Sequence, residues 1–449
     1  MSLDKQLADY DRIFLHVFAP VMVSYVEWII EQAVSSGKKR LYFLARDGWL
    51  MHFIAEQIVR SRKIDMELRY LKVSRYSLRM AEYSILGKEC LDTICVGGID
   101  ISFRKMMMRG ALTEEEIQAV AKETGYEDKL DQPLNYRQIQ EVKKKLGQAD
   151  LFFQYIDYHS KECYESTAGY LRQEGLMDEV PYSIVDSGWI GTTQRSIERI
   201  LTKETGSAIK IDGYYFGVYE VPKGSDWDRY HGYYIRPGQD IGRKIRFSVC
   251  LFETIFSSPE GMTWGYRKAD RPDEIEVAQT KDIQSVAARN IYVPVESGRE
   301  NPNKEIMLRN KKLIDSYLRT YLKCLNHGGN IETDAHPVHH ADHIKIIENL
   351  LSLCMGNPTT IEAKILGGLQ FCDDVLELQM QNVAAEWDKN ELKKQRFLNR
   401  ILIKLDIREG ELHESGWPEG SIVNLGQRSG IRQEHLYKYF MYLRKAIVS

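Results

Sequence analysis

Two short apolar runs, each leaving through a polar loop straight into a helix, constrain this chain more than any other feature. The first is RLYFLA at residues 40–45. It is followed by the loop ARDG, then by WLMHFIAEQIVRS, in which Leu50, Phe53, Ile54 and Ile58 share one helical face, and then by MELRYLKVS, which reads as another strand. The second is YSIVD, followed by SGWIG, by TTQRSIERILTKETG at helical spacing, and by the run IKIDGYYFGVYE. A strand–loop–helix–strand unit needs parallel strands, with its crossover helix laid over the sheet. The chain is therefore expected to build an α/β fold on a parallel, Rossmann-like sheet.

Between the two units, from about residue 82 to 178, the pattern turns helical. TEEEIQAVAKETG opens on a capping box, Thr113 with Glu116, and DLFFQYIDYHSKECYESTAGYLRQEG spaces its aromatic residues as a core-facing helix does. From Arg271 onward KEIMLRNKKLIDSYLRTYLKCL, HIKIIENLLSLC, TTIEAKILGGL and LKKQRFLNRILIKLD keep the 3.6-residue period. The expected organisation is a sheet domain over 1–270 carrying a helical insertion, and a mainly helical C-terminal domain over 271–449.

Composition narrows the function classes. With 43% hydrophobic and 28% charged residues and a mean hydropathy of −0.40, the chain has the make-up of a soluble globular protein. A net charge of −3 gives no electrostatic footprint for nucleic acid, so none is expected as a partner. Seven cysteines, an odd number without a C-x-x-C pair, point to a reduced, cytoplasmic setting. The opening helix carries Asp4, Asp9, Asp11 and Glu27, and no uninterrupted apolar run approaches about 18 residues, so no membrane span is expected.

In an open parallel sheet, ligands sit beyond the carboxyl ends of the strands, and ARDG and DSGWIGTT both fall there. Glycines admit close backbone approach, and a helix's first N–H groups and dipole favour an anion. A phosphate is thus expected on Gly188, Gly191, Thr192 and Thr193, flanked by Gly48, Ser187 and Trp189, with Asp186 orienting sugar hydroxyls. Arg46 would stabilise leaving-group charge and Asp47 would hold a metal, Mg2+ fitting best. Ser74 and Arg75 end the second strand and line the same cleft, and Glu253 is a further acid. A plainer account stands beside each of these. The glycines make a tight turn, Thr192 caps the helix, Arg46 and Asp47 pair locally, and Glu253 is a solvated helix carboxylate. The segment DAHPVHHADH offers His339 and His343 as an i, i+4 pair for a metal, against which Pro337 and the missing glutamate after His339 argue for an exposed linker.

Three resemblances meet at these residues. FLARDGWLM, YLKVSR, IVDSGWIGTTQ, LFETIFSSPEGMTWGY and NPTTIEAKILGGLQF resemble the module found C-terminal to a haloacid dehalogenase-like domain in large bacterial proteins of surface-polysaccharide loci. That likeness spans most of the chain. It implies a role in glycan assembly, with other enzymes of the pathway as partners, and imports no reaction. IVDSGWIGTT also resembles the loop of type I phosphoribosyltransferases that cradles a 5′-phosphate, with ARDG resembling their pyrophosphate loop. The likeness implies a phosphoribosyltransferase-like sheet and Mg2+, although Ser187 stands where a second acid is usual. FLARDGW is similar, lastly, to the first motif of the haloacid dehalogenase phosphatases, which puts Ala45 at the nucleophile's position; a methyl group cannot attack phosphorus, which closes the aspartyl-phosphate route.

The reading that follows is a protein binding a phosphorylated sugar or nucleotide-sugar, with glycosyl or phosphoribosyl transfer as its chemistry. The rival is a noncatalytic module that docks glycan-pathway enzymes.

Overall fold

The computed structural model describes residues 3–97, 101–270, 291–298, 301–327, 340–371, 380–404 and 407–448. Five strands, β1 (Arg40–Leu44), β2 (Glu67–Leu71), β3 (Tyr182–Trp189), β4 (Asp212–Val218) and β5 (Tyr230–Ile235), form one all-parallel sheet in the order β2-β1-β3-β4-β5. β1 is buried along its whole length, as a strand covered on both faces must be, and this explains its unbroken apolar run. Its side chains alternate between two cores. Leu41 and Phe43 join Val26, Ile29, Ile30, Leu50, Ile54 and Ile58 on one face, while Tyr42 and Leu44 join Leu78, Leu171, Ile197 and Ile200 on the other. The expected α/β parallel-sheet architecture is present, with helices on both faces and a helical C-terminal region.

The Gly48–Arg62 helix leaves β1 directly. A Cβ on Gly48 would lie 2.8 Å from the carbonyl carbon of Phe43, so only glycine lets the chain fold back this tightly on the strand. The Asp4–Ser35 helical stretch is, among the described residues, the one segment long and apolar enough to cross a bilayer; 67% of its most apolar window is packed inside the molecule. Tyr25 and Trp28 from that stretch lie on β4, with Trp28 edge-on to Tyr214 at 5.8 Å.

Among the described residues the β2-to-β3 connection holds helices and no strand, beginning at Arg75 rather than near residue 82. Residues from Met80 to Ile156 gather a core of their own, around Phe103, Met106, Val120, Val142 and Phe152. The C-terminal helices divide their packing between a small core of their own, around Ala363, Trp387, Ile422, Val423 and Ile431, and the main core. Ile314, Leu318, Leu351, Leu366 and Trp417 lie in the same cluster as β1 and the N-terminal helices. β6 (Thr263–Lys268) pairs in a hairpin with β7 (Tyr292–Glu296), and β7 stands in the region expected to be mainly helical from residue 271; YVPVE, with its alternating valines, suits a strand. The expectations for 271–290 and for His336 and His339 lie outside the described residues, and His343 sits half-buried on the His340–Cys354 helix.

Candidate functional site

The sheet's order reverses at β1 and β3. β1 is followed in sequence by β2 on one side, whereas β3, β4 and β5 proceed to the other, which leaves a crevice beyond the carboxyl ends of the two central strands. Both loops singled out in the sequence open there. Ser187 donates its hydroxyl hydrogen to Asp47 Oδ2, joining the end of β3 to the turn after β1. The Ser187 N–H donates to Asp186 Oδ1 at 2.8 Å. Trp189 Nε1 donates to Glu253 Oε1 at 2.8 Å, and Arg75 Nη2 lies 3.9 Å from the same oxygen. Arg46, Asp47, Arg75, Asp186, Ser187, Trp189 and Glu253 thus converge on one crevice. They are drawn from β1, β3, the Arg75–Leu86 helix and the Val249–Phe256 helix.

Three carboxyl groups share this space, and burial works against the ionisation of two of them, Asp47 and Asp186. Asp47 is pushed up to about 7, first by burial and next by the charge of Glu253, against the pull of the Ser187 hydroxyl, Arg46 and Arg75. Asp186 is pushed well above the ordinary carboxylate range, by burial and then by Asp47. The two aspartates therefore titrate as an interacting pair, one of whose protons is exchangeable near neutrality. A carboxyl group with that property suits general acid–base work.

The other expected residues have more ordinary tasks. Gly191 is the N-cap of the Thr192–Thr205 helix at φ +69°, and a Cβ there would meet the Tyr230 ring at 2.4 Å. Gly188 has φ +138°, and a Cβ would sit 2.0 Å from Gly217 O, so this position serves close strand packing. Ser74 caps the Arg75–Leu86 helix by accepting from Ser77 N, and donates to Thr263 O at 2.6 Å. Trp189 is packed among Phe216, Phe247 and Phe252, so its part at the crevice is to hold Glu253. Thr192 and Thr193 are half-buried on the first helical turn, with no hydrogen-bond partner for either hydroxyl among the described residues. Gly191 stands at the cap with no side-chain capping bond, so neither threonine hydroxyl is used to cap the helix N-terminus.

Tyr25 was not anticipated. Its hydroxyl lies 2.8 Å from Asp186 O and 2.9 Å from Tyr214 O, so the N-terminal helix fixes the backbone at the end of β3. Nothing local in VSYVEW distinguishes it from an ordinary core tyrosine. Among the described residues no group of three or more His, Cys, Asp or Glu side chains is set to enclose a metal ion. Mg2+ commonly takes only one or two protein carboxylates and completes its shell with ligand phosphates and water, so Asp47 alone remains the expected ligand. No protein-family model matches the chain, and a search of curated proteins finds no match to it.

Proposed function

We propose that the chain binds a phosphorylated sugar or nucleotide-sugar in the β1/β3 crevice and transfers its glycosyl or phosphoribosyl group, in the cytoplasmic stage of bacterial surface-glycan assembly. The observation that carries this reading is the meeting of Arg46, Asp47, Asp186 and Ser187 at the point where the strand order reverses. The resemblance to polysaccharide-locus modules supplies the pathway. The donor's phosphate rests on the N–H groups and hydroxyls of Thr192 and Thr193, and Asp186 receives the sugar hydroxyls. The bond from the anomeric carbon to the phosphate oxygen breaks, its electron pair leaves with the phosphate, and Arg46 and Arg75 offset the developing charge. The acceptor oxygen bonds the same carbon, and its proton passes to Asp47. Asp47 would hold Mg2+ where the ion is present, and the ion would supply neutralisation of part of the phosphate charge.

A thermal-shift screen of the whole chain tests this, using phosphoribosyl pyrophosphate, sugar phosphates and nucleotide-sugars with and without Mg2+. One ligand class should raise the unfolding midpoint, since a ligand at 100 times its Kd adds about 2.7 kcal/mol. The double variant Asp186→Ala, Thr192→Val should lose that shift. A variant that keeps the full shift would count against the crevice.

The docking reading has one observation in its favour. Leu398, Leu436, Tyr439 and Phe440 are exposed near the C-terminal helix, with Phe397 and Phe440 rings 5.1 Å apart, an apolar surface of the kind that partners cover. A flat ligand screen would favour it.

A further inference from the structure

The Arg75–Leu86 helix carries a second arginine one turn beyond the crevice. Arg79 follows Arg75 by four residues, so the two side chains leave the same side of the helix, about 6 Å apart along its axis. Arg75 reaches toward Glu253 at 3.9 Å. Arg79 is half-buried, and among the described residues no carboxylate or carbonyl lies within hydrogen-bond or ion-pair reach of its guanidinium. Its neighbouring acid, Glu82, is already committed: Ser196 Oγ donates to it at 2.5 Å and Arg199 bonds its other oxygen. Tyr83 donates its hydroxyl to Arg109 O at 3.3 Å, which brings the end of the Phe103–Met108 helix against this face. Arg109 itself donates to the carbonyls of Ile94, at 3.2 Å, and Val96.

Among the described residues Arg79 therefore has no bonded anion, and Glu82, the acid whose charge reaches it, is bonded elsewhere. Burial, and after it the charges of Arg75 and Arg109, hold its pKa below arginine's ordinary value in spite of Tyr83 and Glu82. A half-buried guanidinium with no bonded partner is costly to the fold. Its planar fork matches the oxygens of a phosphoryl group. Arg75 links this position to the carboxylate crevice without a break.

We propose that Arg79, flanked by Arg75 and Arg109, seats a second phosphoryl group of the crevice ligand. The ligand is then a diphosphate, the class that includes nucleotide-sugars, rather than a sugar monophosphate. The inference rests on the crevice reading, and it assigns the helical insertion a part in the site through Arg109.

The test is calorimetric titration of the whole chain with inorganic phosphate and with inorganic pyrophosphate, which need no knowledge of the sugar. The wild type should prefer pyrophosphate by about tenfold or more, the worth of one added charge-assisted hydrogen bond. Arg79→Gln should abolish that preference while leaving phosphate affinity within about twofold. Arg79→Lys, a point charge without the fork, should retain part of it. Unliganded Arg79→Gln should melt no lower than the wild type, because no internal partner is lost. A preference that survives Arg79→Gln overturns the second seat and leaves the crevice standing; so does a variant that melts several degrees lower, which would mark Arg79 as an internal tie. A wild type that binds neither anion overturns both readings.

Discussion

The two ends of the five-stranded sheet use the same residue types and treat them oppositely. At the amino end, buried Arg40 donates Nε to Glu67 at 2.5 Å and Nη1 to Asp178 at 2.8 Å, and Arg69 adds a further bond to Glu67. Asp212 there holds Lys38 at 2.5 Å, with Arg229 at 3.2 Å and His231 at 3.4 Å. Burial pushes Glu67 and Asp212 up, but these bonds outweigh it and both end below the ordinary carboxylate range. At the carboxyl end, Asp47 and Asp186 end above it. A cavity of about 470 Å³ opens at the amino end, lined in part by Lys38, Asp178 and Lys210, yet these charges are already matched, Lys210 with Asp226 at 3.6 Å. Volume at the amino end thus comes with charges already matched, and the carboxylates held above their ordinary range mark the carboxyl end as the functional one more directly.

Breaking the matched end should have the largest effect. Arg40→Leu leaves Glu67 and Asp178 without their buried partner, together with the Gly175 carbonyl that Arg40 also binds at 2.9 Å. It should cost about 3 kcal/mol in urea unfolding. A loss below about 1 kcal/mol would put this pairing in the class of ordinary surface ion pairs and dissolve the contrast. Neutralising the unmatched end should do the reverse. Asp47 in the folded chain holds its proton up to about 7 against an ordinary 3.8, so the folded state is penalised once pH rises through that interval. The gap corresponds to about 4 kcal/mol, which solvent contact at this half-buried carboxyl reduces to about 2 kcal/mol. Asp47→Asn should therefore stabilise the protein by about 2 kcal/mol at pH 8 and by nothing near pH 3.5, while abolishing transfer. A destabilised variant at pH 8 would mean that Asp47 is structurally matched after all.

Much of this architecture was legible in the sequence because strands buried on both faces and their following helices write local patterns. RLYFL, ELRYL, YSIVD and DGYYFGV all became strands, and the Thr113–Glu116 capping box formed as its spacing required; β3 runs on through Ser187, Gly188 and Trp189, expected as loop, because Gly188 and Trp189 pair with Gly217 and Val218 of β4. β5 escaped notice because YHGYYI is short, is broken by Gly232 and carries one aliphatic residue, Ile235, at its end. A helical period reveals that an apolar face exists but not what it meets, so nothing in KEIMLRNKKLIDSY signalled that Ile314 and Leu318 join the core of β1. The site divided along the same line. Loop positions brought Asp47, Asp186 and Ser187 to attention, whereas the importance of Arg79 lies in the partners it lacks, and that is a property of three dimensions alone.

The smallest effect, and the sharpest on sign, belongs to Asp212. Its folded pKa lies below the ordinary value because Lys38 and Arg229 favour the ionised form over the burial that opposes it. Its contribution is then fully present above about pH 4 and fades as pH falls through the lower, folded value. Asp212→Asn should cost about 1 kcal/mol at pH 7, since its partners retain solvent contact and are free to hydrate once released. The cost should shrink toward zero near pH 2, where the wild-type carboxyl is also protonated. Unfolding measured across this range gives Asp212→Asn and Asp47→Asn curves of opposite sign. The first falls below the wild type as pH rises through the acidic range, and the second climbs above it as pH rises toward 8. If the two curves instead move together, one end of the sheet is not built differently from the other. The argument that the carboxyl end keeps its charges for a ligand would then lose its physical ground, because shared sign would mean that both aspartates answer only to the fold.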